Sequence, residues 1–284
     1  MAKETIFIES PCNIGLEYGN MKVDYGDGRV ILRPVDDLGS LLIDHHSVHM
    51  TVPLMNALSQ SGVTVTFCDE RHMPTASLVA LDSNYMQGNR FLKQLSCGRP
   101  LQKQLWKQIV TAKIRNQSML LERLGKGEDL LKSYYTKVTS GDVTNREGVA
   151  AKVYWKTLFG KEFVRDRYRE CPNNLLNYGY SMLRSATVRH LMSAGLYPGL
   201  GIFHHNCYNA FPLADDAMEP FRPFVDEKVF ALFNSGVRDI DRNVKAMLAE
   251  TFYETLTDDV IASACNSLRR VYEGESVILE YKKM

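Results

Sequence analysis

Two adjacent histidines, His204 and His205, precede three clustered carboxylates, Asp215, Asp216 and Glu219, in the stretch GIFHHNCYNAFPLADDAMEPFRPFVDEK. Imidazole nitrogens and carboxylate oxygens together form a donor set for a divalent cation. On a helix beginning near Asp215, the Asp216/Glu219 and Asp215/Glu219 pairs fall at i,i+3 and i,i+4 and share a face. The same acids also suit a helix N-terminus, where the macrodipole favours negative charge. Both readings stand at this level. A mixed oxygen and imidazole set fits Mg²⁺ or Mn²⁺ better than structural zinc, which prefers thiolates in a closed tetrahedron. Such a site also needs a carboxylate from another element. Glu147 in NREGVAAKVYW is the candidate, because the small residues Gly148, Val149, Ala150 and Ala151 let its helix approach a neighbour. A glutamate on a packed face requires a partner or a metal. The competing reading makes Asn145 a cap and Glu147 a first-turn acid complementing the dipole.

A second histidine cluster, IDHHSVHM, holds Asp44, His45, His46 and His49. It sits where a strand passes into a helix, and Asp44 or Ser47 as a helix cap is the economical reading. Basic residues also cluster. Residues 98–117 carry Arg99, Lys103, Lys107, Lys113 and Arg115 with no acid, and residues 146–189 carry nine basic against four acidic residues. Lys103 and Lys107 lie one helical turn apart and repel unless an anion is near. The second basic stretch flanks Glu147, and phosphates suit that arrangement. Other catalytic templates are missing: there is no G-x-S-x-G elbow, phosphate loop or H-E-x-x-H helix.

The elements that must position these residues fall into two textures. TIFIES, NIGLEYG, MKVDY and RVILRP are short β-branched and aromatic runs separated by turn signals, and VTVTFCD is a further strand after the short helical run TVPLMNALSQSG. From Ser83 onward the periods are helical: QLWKQIVTAKIRNQSMLLERLG, REGVAAKVYWKTLFG, NNLLNYGYSMLRSATVRHLMSAG, VRDIDRNVKAMLAETFYETL and DDVIASACNSLRRVYEGE. The expectation is an α+β chain with a small, mostly antiparallel β domain at 1–75, a linker at 76–82 and a larger all-α domain at 83–284. The 284 residues, 45% hydrophobic, suffice for both cores. A formal net charge of +1 leaves a polyanion partner open, since a basic face can be balanced elsewhere. Six scattered cysteines without a C-x-x-C pair argue against a zinc ribbon or disulfide framework and fit reduced thiols. The sequence shows neither a signal peptide at its start nor a membrane-length apolar run, so an intracellular, soluble protein is expected.

The blocks NREGVAAKVYWKTLFG, NNLLNYGYSMLRSATVRHLMSAGLYPGLGIFHHN and NAFPLADDAMEPFRPFVD, with the N-terminal LLIDHHSVHMTVPLMNALSQSGVTVTFCDERHMPTA, resemble successive signature blocks of the CRISPR-associated integrase Cas1. The likeness extends over essentially the whole chain and is nearest to the type II subfamily. It implies a β domain that dimerises, a helical catalytic domain and a metal-dependent DNA endonuclease and integrase in the prokaryotic cytoplasm. Carried onto this chain, the implied catalytic and metal-holding set is Glu147, His204 and Glu219. Asp216 is the supporting acid and His205 the alternative histidine. Mg²⁺ or Mn²⁺ is the implied cofactor. Arg146, Lys152, Lys156 and Arg222 are the residues expected to reach DNA phosphates. The implied partners are short duplex DNA, the CRISPR repeat, a second copy of the chain, the small protein Cas2 in a heterohexamer and the type II effector nuclease. Competing functions are a metal-dependent nuclease of branched DNA in repair and a non-catalytic DNA-binding scaffold.

Overall fold

The computed structural model describes residues 4–70, 74–78, 80, 85–127, 129–204 and 206–284. The chain folds into two compact units, Met1–Tyr85 and Met86–Met284. A β-rich region is thus followed by a largely helical one, the architecture expected from the sequence.

The first unit contains β1 (Glu4–Ile8), β2 (Cys12–Glu17), β3 (Asn20–Asp24), β4 (Val30–Pro34), β5 (Leu38–Ile43), β6 (Val48–Met50), α1 (Val52–Gln60), β7 (Thr64–Cys68) and β8 (Pro74–Leu78). They form two four-stranded sheets, ordered β1-β5-β7-β8 and β4-β3-β2-β6. The expectation of mostly antiparallel pairing is corrected here: β1 with β5, β5 with β7 and β2 with β6 run parallel. A parallel pair requires a crossover rather than a tight turn, and α1 lies in the connection from β5 to β7. The burial of LGSLLI in β5 follows, since Leu38, Leu41, Leu42 and Ile43 are all buried, as a central parallel strand demands. Leu54 and Leu58 of α1 join Ile8, Ile14, Met21, Val23 and Val65 in one apolar core. Residues 76–78 of the expected linker belong to β8 and pair with β7. The IDHHSVHM stretch is not helical: it contains β6, Thr51 heads α1, and neither Asp44 nor Ser47 caps it. The His45 Nδ1 instead accepts the Ser47 N–H at 3.1 Å.

The second unit comprises α2 (Gln87–Leu95), α3 (Arg99–Arg123), α4 (Lys132–Tyr135), α5 (Arg146–Phe159), α6 (Asn173–Ser193), α7 (Pro212–Met218), a 3₁₀ turn (Glu219–Phe221), α8 (Arg222–Asn234), α9 (Arg242–Glu254) and α10 (Asp258–Tyr272). At its centre, α3 buries Leu105, Trp106, Ile109, Val110, Ile114, Leu120 and Leu121 and packs on α5, α8 and the 3₁₀ turn. Close packing between α6 and α8 depends on Gly179, where an added Cβ would lie 2.4 Å from Val225 Cγ1. Every residue of α7 is buried. Its acids therefore enter the interior, where an unpaired charge is costly. Among the described residues no helix is long and apolar enough to cross a membrane.

Candidate active site

Glu147 stands in the first turn of α5. Asn145, in left-handed backbone at φ 49°, accepts the Gly148 N–H through its side chain. The Asp142 carboxylate accepts the N–H groups of Arg146 and Glu147 at 2.8 and 2.9 Å. The cap expected at Asn145 therefore exists, and it fixes the direction in which the helix delivers Glu147. Across from it, the single-turn 3₁₀ segment after α7 delivers Glu219, which is 4% exposed.

Between the two carboxylates lies Lys113 of α3. Its Nζ is 2.6 Å from Glu147 Oε1 and 2.6 Å from Glu219 Oε2. The first contact is an aligned hydrogen bond. The second is an ion pair off the hydrogen-bond line, so Glu219 Oε2 is buried without a hydrogen-bond donor. The other Glu219 oxygen, Oε1, is 3.0 Å from Arg222 Nη2. Burial opposes charge on Lys113, but Glu219 and Glu147 outweigh it and raise its pKa. Burial likewise pushes Glu219 up, yet Arg222 and Lys113 hold its carboxyl below the usual range.

Asp216 has a different task. Fully buried, it turns back along the chain and accepts the N–H groups of Ile202 and Phe203 at 2.6 and 2.9 Å. It also meets His204 Nδ1 at 2.5 Å. This raises the His204 pKa through the hydrogen bond to Asp216, against the opposing effect of burial. The loop can fold this tightly because residue 201 is glycine: a Cβ there would lie 2.3 Å from the His204 carbonyl oxygen. The His204 ring also stands edge-on to Trp106, 5.7 Å between centroids. With Nδ1 committed to a carboxylate, the ring keeps Nε2 for another partner. That is the arrangement by which proteins orient a metal-ligating histidine.

Asp215 takes no part in this group. Its oxygens receive Arg184 Nε and Nη2 at 2.7 and 2.5 Å and the Asn209 amide at 2.7 Å. The common face expected for Asp215, Asp216 and Glu219 is thereby corrected, because α7 ends at Met218 and each acid finds a partner on a different element. Arg222, expected among the DNA contacts, points inward onto Glu219, with its guanidinium 4.7 Å over the Tyr180 ring. Lys152 and Lys156 are exposed on α5, and Arg146 is half-buried. His205 lies outside the described residues. Among those described, no three His, Cys, Asp or Glu side chains already converge as a metal cage. The donor chemistry nevertheless fits a divalent cation. It offers two carboxylates drawn to one ammonium, Glu147 and Glu219, and a histidine oriented by Asp216.

On sequence spacing alone, Lys113 is one charge of a basic run. Its apolar neighbours Ile109, Val110 and Ile114 at helical spacing were the available sign that this lysine faces inward.

The family profile described as "CRISPR associated protein Cas1" matches residues 6–261. The chain belongs to the CRISPR-associated Cas1 family. A relative named CRISPR-associated endonuclease Cas1, from Neisseria meningitidis serogroup C (strain 8013), is 36% identical over 228 residues, covering 78% of this chain and 73% of that protein. Another Cas1 protein so named, from Francisella tularensis subsp. novicida (strain U112), is 25% identical and spans 98% of this chain and 92% of its own. The Cas1 fold extends to a casposase bound to integration product, with TM-score 0.82, 19% identity and coverage of 99% of this chain and 93% of that one. A Cas1 protein of Thermotoga maritima gives TM-score 0.80 at 18% identity, with 99% and 100% covered.

Proposed function

We propose that this chain is the integrase subunit of CRISPR adaptation, a metal-dependent DNA endonuclease and strand transferase. The observation that carries this reading is the meeting of Glu147 and Glu219 on the Lys113 ammonium, in a Cas1 family member. In the reaction, the 3′-hydroxyl of a captured duplex fragment forms a bond to phosphorus at a repeat boundary. The attacking hydroxyl gives up its proton, and the repeat's own 3′-oxygen leaves with the electron pair of the broken bond and takes up a proton. One phosphodiester replaces another with no covalent enzyme intermediate.

Glu147, Glu219 and His204 Nε2 are the groups that would hold Mg²⁺ or Mn²⁺. Bound there, the cation supplies charge stabilisation at the phosphoryl oxygens and a lowered pKa for the attacking hydroxyl. Arg222 keeps Glu219 in place, Asp216 keeps His204 in place, and Asp142 keeps the start of α5 in place. Exposed Lys152 and Lys156, one turn apart, are suited to DNA phosphates.

Partners are read the same way. The β4 edge strand exposes Val30, Ile31 and Leu32, an apolar edge of the kind that natural proteins usually cover. That supports pairing with a second copy. Solved relatives of the same fold include a Cas6-RT-Cas1–Cas2 complex, TM-score 0.76, and a Cas1–DNA complex, TM-score 0.67. They support Cas2 and DNA as partners here.

The test is strand transfer of a labelled short duplex into a plasmid carrying the matching repeat, with Cas2 and Mn²⁺, comparing wild type, His204→Ala and His205→Ala. Loss confined to His204→Ala is expected. Full activity in that variant would remove His204 from the site, and cleavage of branched DNA without joining would favour a repair nuclease.

A further inference from the structure

We propose that Lys113 is a resident cation of this site, one that holds Glu147 and Glu219 together without metal and must withdraw before they take up a divalent ion. The inference rests on the reading of those two glutamates as metal ligands. It concerns a residue on a third element, α3, that is not itself a ligand.

The geometry makes the two cations competitors. Lys113 Nζ lies 2.6 Å from one oxygen of each glutamate, a separation that leaves no room for a metal bridging the same two oxygens. Charge points the same way. Glu147 and Glu219 contribute two negative charges; Lys113 and Arg222, both in ion contact with them, contribute two positive ones. These four charges sum to zero, and the Asp216–His204 pair adds at most one negative charge. A dication arriving with Lys113 still in place would therefore meet far less attraction than it would once Lys113 had withdrawn. Arg222 cannot serve as the charge that leaves, because its guanidinium is stacked on Tyr180 while it pairs with Glu219. Lys113 can. Its ammonium ends a flexible four-carbon stem, and only one of its two contacts is an aligned hydrogen bond.

The withdrawn ammonium has a natural destination. A DNA phosphate beside the carboxylates would accept it at the moment the metal replaces it. Metal and DNA would then each favour the other's binding, and by linkage the effect is reciprocal. A protein without DNA would hold Mn²⁺ weakly, and its carboxylates would stay paired instead of repelling one another.

The test measures Mn²⁺ binding to the full chain, without DNA and at one fixed pH, from the free Mn²⁺ signal in electron paramagnetic resonance. Lys113→Met and Lys113→Gln should bind about tenfold tighter or more than wild type, while Lys113→Arg stays near wild type because it keeps the charge. Equal, measurable affinity in wild type and Lys113→Met would overturn the inference and leave the metal site standing. No binding in either would sink the metal reading and this inference with it. Should the neutral variants fold poorly, wild type answers alone. Acetylation of Lys113, followed by mass spectrometry, should rise on saturation with Mn²⁺, and unchanged labelling would count against displacement.

Discussion

Glu219 and Asp226 are buried seven residues apart in the helical unit, at 4% and 1% exposure, and they meet opposite kinds of partner. Glu219 faces Lys113 and Arg222, which keep it ionised despite burial. Asp226 faces hydroxyls: Tyr154 donates at 2.7 Å and Tyr180 donates from the other side. Two neutral donors do not offset desolvation as a cation does, and burial pushes the Asp226 carboxyl up to about 6. The contrast separates two uses of a buried acid. A carboxylate held by cations can exchange one cation for another, and each Glu219 oxygen faces one: Oε2 meets Lys113 and Oε1 meets Arg222. A carboxylate enclosed by tyrosines has nothing to exchange and ties α5, α6 and α8 together.

The sharpest way to break that contrast is to neutralise an acid on each side. Glu147→Gln should abolish strand transfer while the melting temperature moves little, whereas Asp226→Ala should cost stability, about 3 kcal/mol, by leaving two buried hydroxyls unpaired. Thermal melts beside the integration assay decide it, and a reversed pattern would show that the two networks have been assigned the wrong roles. A second loss is expected from Asp216→Asn, which keeps the loop's size but weakens its hold on the His204 ring. Activity should fall by roughly 10–100-fold, as for other groups that orient a metal ligand. Manganese affinity should fall in parallel, and an unchanged affinity would confine Asp216 to holding the loop.

Asp226 also sets a pH dependence with a definite sign. The unfolded chain loses this proton near the ordinary aspartate value of 3.8 and the folded chain holds it to about 6. Between these values the folded state binds more protons, so this group lowers stability as pH rises from about 4 to 6, by up to about 3 kcal/mol. In Asp226→Asn that fall should vanish from the denaturation profile relative to wild type. The smallest effect is expected at the surface. Replacing Lys152 and Lys156 with glutamine should leave the chemistry intact and reduce the slope of log affinity against log salt by roughly 2. An unaltered slope would put the DNA path elsewhere.

Much of this was legible from sequence because it is local. The periods of α3, α5, α6, α9 and α10, the Asn145 cap and the run of short strands follow from residue spacing over a dozen positions or fewer. The blocks around Glu147, His204 and Glu219 carried the family resemblance. Pairings between distant residues were not legible. The parallel strands depend on a crossover through α1, and nothing in RVILRP or SLLIDH reveals the direction of a neighbour. On helical spacing alone Asp215, Asp216 and Glu219 are equivalent, and only the family resemblance set Glu219 apart, with Asp216 in support. Packing then gave them Arg184, His204 and Lys113, residues 31, 12 and 106 positions away. The types of residue proposed for the chemistry, and most of the helices of the second unit, were therefore set by local pattern. Which charge meets which was decided only in the folded interior, where each buried carboxylate must find a partner and the nearest one comes from wherever the chain has returned.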